Sequence, residues 1–239
     1  FRADHIMKVS EDGKLLNEIN VVELFYQNDM EALLTAIGES MDVNYDRWEI
    51  IHLNKIGELT SDIADDFPMF EAGDLVLSLR GYNLVMVIDP ETGRIKWSKT
   101  GPWIRQHDPE FKPGGTIAVF NNNAYYTIYG DGPPYIPRPD IDPVSNIIEI
   151  DPVSNEYRIL YDGREGQEML SIVRGKHELT ANGGLLVTAF NSGRVFETDS
   201  AGQIIWEYIN RYSEDEVAEL TEARIYPASY FNVSDWTCE

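Results

Sequence analysis

Apolar and polar residues alternate along most of the chain in short runs separated by turn residues. One pattern recurs. It reads Ile6-Met7-Lys8-Val9, a turn at Ser10-Glu11-Asp12-Gly13, then Lys14-Leu15-Leu16. It returns over 85–97, where Val85-Met86-Val87-Ile88 leads through Asp89-Pro90-Glu91-Thr92-Gly93 to Ile95 and Trp97. It returns again over 147–159, with Asp151-Pro152-Val153-Ser154-Asn155 as the turn, and over 195–206, with Asp199-Ser200-Ala201-Gly202. Runs of period two joined by Asp, Pro, Gly or Asn predict β-hairpins. Upstream of three of these hairpins a further strand follows a glycine turn, at Gly73–Arg80, Gly114–Phe120 and Gly183–Phe190. Ahead of each lies one more short segment, containing His52, His107 or His177. Three four-stranded units are therefore predicted, over about 48–100, 101–161 and 171–208, with a half unit at 5–22.

Repeated four-stranded antiparallel units predict an all-β fold, a β-propeller of which this chain carries about three and a half blades in one partial domain, 1–239. An antiparallel sandwich also strings short strands between turns. The aromatic residue closing each full unit, Trp97, Tyr161 and Trp206, favours the propeller. Three segments depart from the strand pattern. Residues 23–40 space Met30, Leu33, Leu34 and Ile37 as a helix does, with Gly38 as a stop. Residues 124–145 are rich in Pro, Gly, Tyr and Asp and predict a long inserted loop. Residues 209–239 predict an irregular tail with a short acidic helix near 213–222.

Composition narrows the partners. The chain has 239 residues, 43% hydrophobic and 25% charged, as a globular protein has. Its 41 Asp and Glu against 19 Lys and Arg leave a net charge of −22, which argues against nucleic acid and against adsorption to anionic lipid. No apolar run approaches the roughly 18 residues of a membrane span. Cys238 is the one cysteine, so neither an intrachain disulfide nor a cysteine zinc site is expected. Acidic residues fall mostly in turns, so we expect no metal site. The start at Phe1, without Met or a signal segment, reads as a processed product or a fragment. Asn232-Val233-Ser234 fits the N-glycosylation acceptor pattern.

Of the 4 histidines, His52, His107 and His177 occupy the same place in the repeat, the start of the innermost strand. In a propeller that strand lines the central channel, so equivalent positions converge near the axis. Polar residues there also serve simply to satisfy backbone groups. On a strand, positions i and i+2 share a face, which would put His52 and Asn54 on one cavity. Arg80 ends the adjacent strand, and a planar guanidinium pairs with oxyanions through two parallel hydrogen bonds. Histidine, asparagine and arginine around a cavity suit a sulfate or phosphate ester.

At these residues the chain resembles the bacterial arylsulfotransferase family. The resemblance rests on Tyr45–Ile56 with its His52-Leu53-Asn54, on Gly73–Arg80 with Asn83, and on Gln106-His107-Asp108-Pro109 leading to Val119–Asn122. Gly193–Glu197 and Ile205–Tyr208 match the family's last blades. It implies a six-bladed propeller that moves a sulfuryl group from an aryl sulfate to a phenol, with no cofactor and no nucleotide donor. It further implies that a channel histidine, here His107, is transiently sulfated, while His52, Asn54 and Arg80 hold sulfate oxygens and assist the leaving phenolate. His177 matches no catalytic position of the family and is kept as a channel residue beside the substrate. One departure concerns Phe120-Asn121-Asn122-Asn123, which replaces an F-D-N-G-like turn.

The leading expectation is a secreted or periplasmic aryl sulfotransferase whose sheet edges are closed by further blades or a partner chain, with a homo-oligomer as one such arrangement. The alternative is a catalytically inactive propeller serving as a binding or assembly module. A quinone-dependent dehydrogenase would leave the histidine register unexplained.

Overall fold

The computed structural model of the chain describes residues 3–35, 51–124, 144–163 and 165–233. The first alternating run pairs as β1 (His5–Val9) and β2 (Leu15–Asn20), a two-stranded sheet, followed by α1 (Val21–Gln27). A four-stranded sheet follows: β3 (Leu53–Glu58), β4 (Leu75–Leu79), β5 (Leu84–Ile88) and β6 (Ile95–Thr100). The second is β7 (His107–Lys112), β8 (Thr116–Asn121), β9 (Asn146–Ile150) and β10 (Tyr157–Tyr161). The third is β11 (Lys176–Leu179), β12 (Leu185–Ala189), β13 (Arg194–Thr198) and β14 (Ile204–Ile209). Each four-stranded sheet is antiparallel and runs in chain order, the arrangement of propeller blades. The fold is all-β, and the described strands make three blades and a two-stranded sheet, not a closed ring.

The blades pack face to face, which explains the continuous apolar runs at their centres. In the first blade Val76, Val85 and Val87 face Ile117, Val119, Ile148 and Ile150 of the second. Their strand neighbours Leu77, Leu84, Met86 and Ile88 face the other way, onto Val21, Leu24 and Phe25. Between the second and third blades, Phe120 and Ile147 meet Val187 and Phe196. The closing aromatics record the same layering. Trp97 is 7% exposed and Tyr161 2%, but Trp206, on the last described blade, is 51% exposed.

Two helix expectations are corrected. The helix starts earlier than the spacing of Met30, Leu33, Leu34 and Ile37 predicts, and it covers only 21–27. Asn20 Oδ1 caps it by accepting from the Val22 N–H at 2.9 Å. Leu24 and Phe25 are fully buried against the first blade, and that packing outweighs the poor helix propensity of Val21 and Val22. Leu33 and Leu34 sit instead in a 3₁₀ turn, Glu31–Thr35, and pack with Met30 on the same core. Residues 36–40 lie outside the described residues, as does most of the 124–145 insertion.

The acidic helix near 213–222 does not form. That segment carries a bridge between Arg211 and Val217 and then runs extended along the third blade. In a helix Asp215 and Glu219, Glu216 and Glu219, and Glu219 and Glu222 would stack like charges one turn apart. The extended path gives Glu222 the Lys176 ammonium at 2.8 Å and lets the Ala223 N–H donate to Thr188 Oγ1 at 3.0 Å.

The turn into β12 explains one glycine. A Cβ on Gly184 would lie 1.9 Å from the carbonyl oxygen of Thr198, a backbone atom that cannot move aside cheaply. Gly184→Ala is expected to destabilise the chain by about 2 kcal/mol or more, read as a lowered midpoint in thermal or urea unfolding.

Candidate active site

The first strands of the three blades converge, with β7 touching both β3 and β11. Their starts are irregular, and the irregularity aims the side chains. His52 lies just ahead of β3 in a left-handed conformation, φ 56°. A register shift follows between Leu53 and Lys55. The expectation that His52 and Asn54 share a face through strand periodicity is therefore corrected: His52 is outside the strand and Asn54 is the bulged residue. Bulges re-aim side chains in this way. His52 and Asn54 nevertheless line one cavity of about 290 Å³ together with His107. Lys55, Asp108, Arg174, Lys176 and, from the tail, Thr221 complete its wall. Asn54 Nδ2 donates to the Gln106 carbonyl at 2.9 Å, which ties it to the residue ahead of His107.

Arg80 opens a 3₁₀ turn after β4 and is buried. Its backbone N–H donates to the His52 carbonyl at 3.0 Å. Its side chain does not line the cavity, yet its charge acts on His107.

His107 is 9% exposed. Its Nδ1 lies 2.7 Å from Asn122 Oδ1 and 3.1 Å from the Arg105 carbonyl oxygen. Burial pushes the imidazole down to about 4, the nearby charges of Arg80 and His52 push the same way, and the Asn122 bond opposes them only in part. The ring is neutral at physiological pH. A neutral, desolvated imidazole in a cavity is a competent nucleophile.

Asp108 has a left-handed backbone, φ 51°, inside a second register shift between His107 and Glu110. Its carboxylate binds Lys55 Nζ at 2.8 Å and accepts from the His177 N–H at 2.9 Å. Burial raises the Asp108 carboxyl, but His177 and Lys55 outweigh it and hold it below the usual range. His177 does not join the other histidines at the cavity. It is buried on the far side of Asp108 and lines a separate cavity of about 200 Å³, with its Nδ1 3.4 Å from Asp108 Oδ2. A larger cavity of about 580 Å³ lies between the two-stranded sheet and the first blade. Glu58, Glu71, Asp74, Asp89 and Glu91 line it, a setting that repels a sulfate ester.

Asn122 and Lys55 were not singled out as site residues from the sequence. Asn122 carries a visible signal, a run of asparagines following an apolar strand; Lys55 reads in sequence as an ordinary polar strand residue. Thr221 has no local signal, because the tail reaches the cavity only through its path across the third blade.

A family model described as Arylsulfotransferase (ASST) matches residues 1–211. No curated protein matches the chain. Among solved structures, a crystal structure of a protein of unknown function from Bacteroides caccae is similar at 12% sequence identity and a TM-score of 0.41, covering 93% of this chain and 75% of that one.

Proposed function

The chain belongs to the arylsulfotransferase family, and from that premise we propose that it transfers a sulfuryl group from an aryl sulfate ester to a phenol through a sulfohistidine at His107. The observation that carries the reading is the state of the His107 imidazole: buried, neutral and lining a cavity with His52 and Asn54. In the first half reaction the Nε2 lone pair attacks sulfur. An N–S bond forms, the S–O bond to the aryl group breaks, and the phenolate leaves with that electron pair. In the second half the acceptor phenol gives up its proton, through solvent, to the phenolate released in the first half, and its oxygen attacks the same sulfur. The N–S bond breaks and the pair returns to Nε2. No redox partner or nucleotide enters the balance.

His52 faces the same cavity and supplies a hydrogen-bonding group to the sulfate or leaving oxygen. Asn54 holds the backbone ahead of His107 through Gln106. Arg80 contributes a buried positive charge beside the reacting group, where low dielectric makes it count for more than in water. We further propose that the protein works outside the cytoplasm and that further blades or a partner chain cover its exposed sheet edges.

The test is direct. The full chain is incubated with nitrophenyl sulfate and its intact mass and peptides are read for one added sulfuryl group. The expected result is a label on His107 that an added phenol discharges, with release of nitrophenolate. Neither label nor nitrophenolate from folded protein would transfer support to a binding or assembly module.

A further inference from the structure

We propose that Asn122 is a positioning residue that locks His107 in the Nδ1–H tautomer and leaves the lone pair on Nε2. Its catalytic consequence rests on the reading of His107 as nucleophile. Its own content is a protonation state, which is measured independently.

Asn122 follows β8 and is 0% exposed. Its side-chain nitrogen donates to two carbonyl oxygens, Ser171 O at 2.8 Å and Arg174 O at 2.6 Å. Carbonyls only accept, so the opposite amide orientation would set three oxygens against one another. The orientation is therefore determined, and Oδ1 is the atom facing His107. An amide oxygen also only accepts. The hydrogen in the 2.7 Å contact must then come from His107 Nδ1. The second group against Nδ1, the Arg105 carbonyl, is an acceptor too. Both neighbours of Nδ1 are acceptors, Asn122 Oδ1 at 2.7 Å being the closer and the Arg105 carbonyl at 3.1 Å only a weaker bias, and a neutral imidazole has one N–H.

The clamp spans two blades. Ser171 and Arg174 precede β11 of the third blade, while Asn122 and His107 belong to the second. Ser145 fastens the seam, donating from Oγ to the Asn122 carbonyl at 3.0 Å and accepting from the Ser171 N–H at 2.9 Å. Docking of the third blade thus sets the tautomer of a histidine on the second.

A neutral amide suits the task better than a carboxylate. An aspartate would accept the same N–H, but its charge would favour the protonated ring and it would lack donors for Ser171 O and Arg174 O. The other charged or titratable groups around the ring are Arg80 and His52, with Lys55, Asp108, Arg174 and Lys176 on the cavity wall. As Nε2 bonds to sulfur the ring becomes cationic, and the Nδ1–H bond to Oδ1 strengthens as charge-assisted bonds do.

The experiment is a two-bond ¹⁵N–¹H correlation spectrum of the full chain labelled at histidine nitrogen, recorded at neutral pH. The expected pattern for His107 is a protonated Nδ1 and an unprotonated Nε2. In Asn122→Ala the pattern is expected to become a tautomer mixture, with kcat reduced by roughly 10²–10³-fold and KM little changed. In Asn122→Asp the tautomer is expected to stay and the ring to protonate at higher pH. A wild-type His107 carrying its proton on Nε2 overturns the proposal. So does an Asn122→Ala ring that keeps the Nδ1–H form. If Asn122→Ala does not fold, the wild-type and Asn122→Asp spectra still decide. The expected wild-type spectrum in a protein that transfers no sulfuryl group would uphold the tautomer and refute only the nucleophile reading.

Discussion

Replacing His107 with alanine is expected to abolish sulfuryl transfer and protein labelling together, with kcat reduced by roughly 10⁴-fold or more. Removing the nucleophile deletes the covalent route entirely. What remains is only the cavity's ability to hold an ester beside water and a positive charge. His52 lines the same cavity as a supporting hydrogen-bonding group in this reading, so His52→Ala is expected to slow the label's appearance without preventing it. Free imidazole added to His107→Ala is expected to restore nitrophenolate release by entering the vacated volume, with N-sulfoimidazole as a soluble product. The pH profile adds a second readout. Protonation removes the lone pair, so activity falls as pH drops through the ring's value. With that value at about 4, kcat/KM is expected to stay flat from about pH 8 down to pH 5 and then decline. An unperturbed histidine would put the limb near 6.5. Undiminished transfer by His107→Ala would remove this histidine from the chemistry.

The blades were legible in the sequence because their signal is local. Asp89-Pro90-Glu91-Thr92-Gly93 and Asp151-Pro152-Val153-Ser154-Asn155 close hairpins through bonds within the turn itself, such as the Glu91 and Val153 N–H groups donating to Asp89 and Asp151 Oδ1. Where the outcome depended on distant packing, the pattern misled. The helix moved to Val21–Gln27 because Leu24 and Phe25 found the first blade, and the acidic segment was drawn out along the third. The site was legible as a list of residues but not as geometry. Repeat register brought His52 and His107 to one cavity, yet bulges at Asn54 and Asp108 broke the alternation used to aim them. The same register placed His177 among them, and Asp108 stands between. Asn122 is the clearest case. Its role needs the carbonyls of Ser171 and Arg174, about fifty residues downstream, and these come into range only when two blades dock.

Substituting Arg80 with methionine is expected to reduce kcat by roughly 10²–10³-fold and to move the acid limb of the pH profile upward. The two effects share one cause. Arg80 is buried, its backbone bonded to His52, and its charge disfavours a proton on His107. Without that charge the ring's value rises from about 4 toward the ordinary histidine range. Negative charge developing on the sulfate and leaving oxygens also loses a fixed positive neighbour in a poorly solvated site. Arg80→Lys is the control for charge. It keeps the positive charge, so the acid limb and most of the rate are expected to be retained. The unfolding midpoint of Arg80→Met, measured alongside the rate, separates loss of fold from loss of catalysis. Direct titration of His107 by NMR in the two variants measures the electrostatic part without any substrate. An His107 value unchanged in Arg80→Met would show that the guanidinium does not set the imidazole's basicity, and any rate loss would then have to come from its field on the sulfate and leaving oxygens alone.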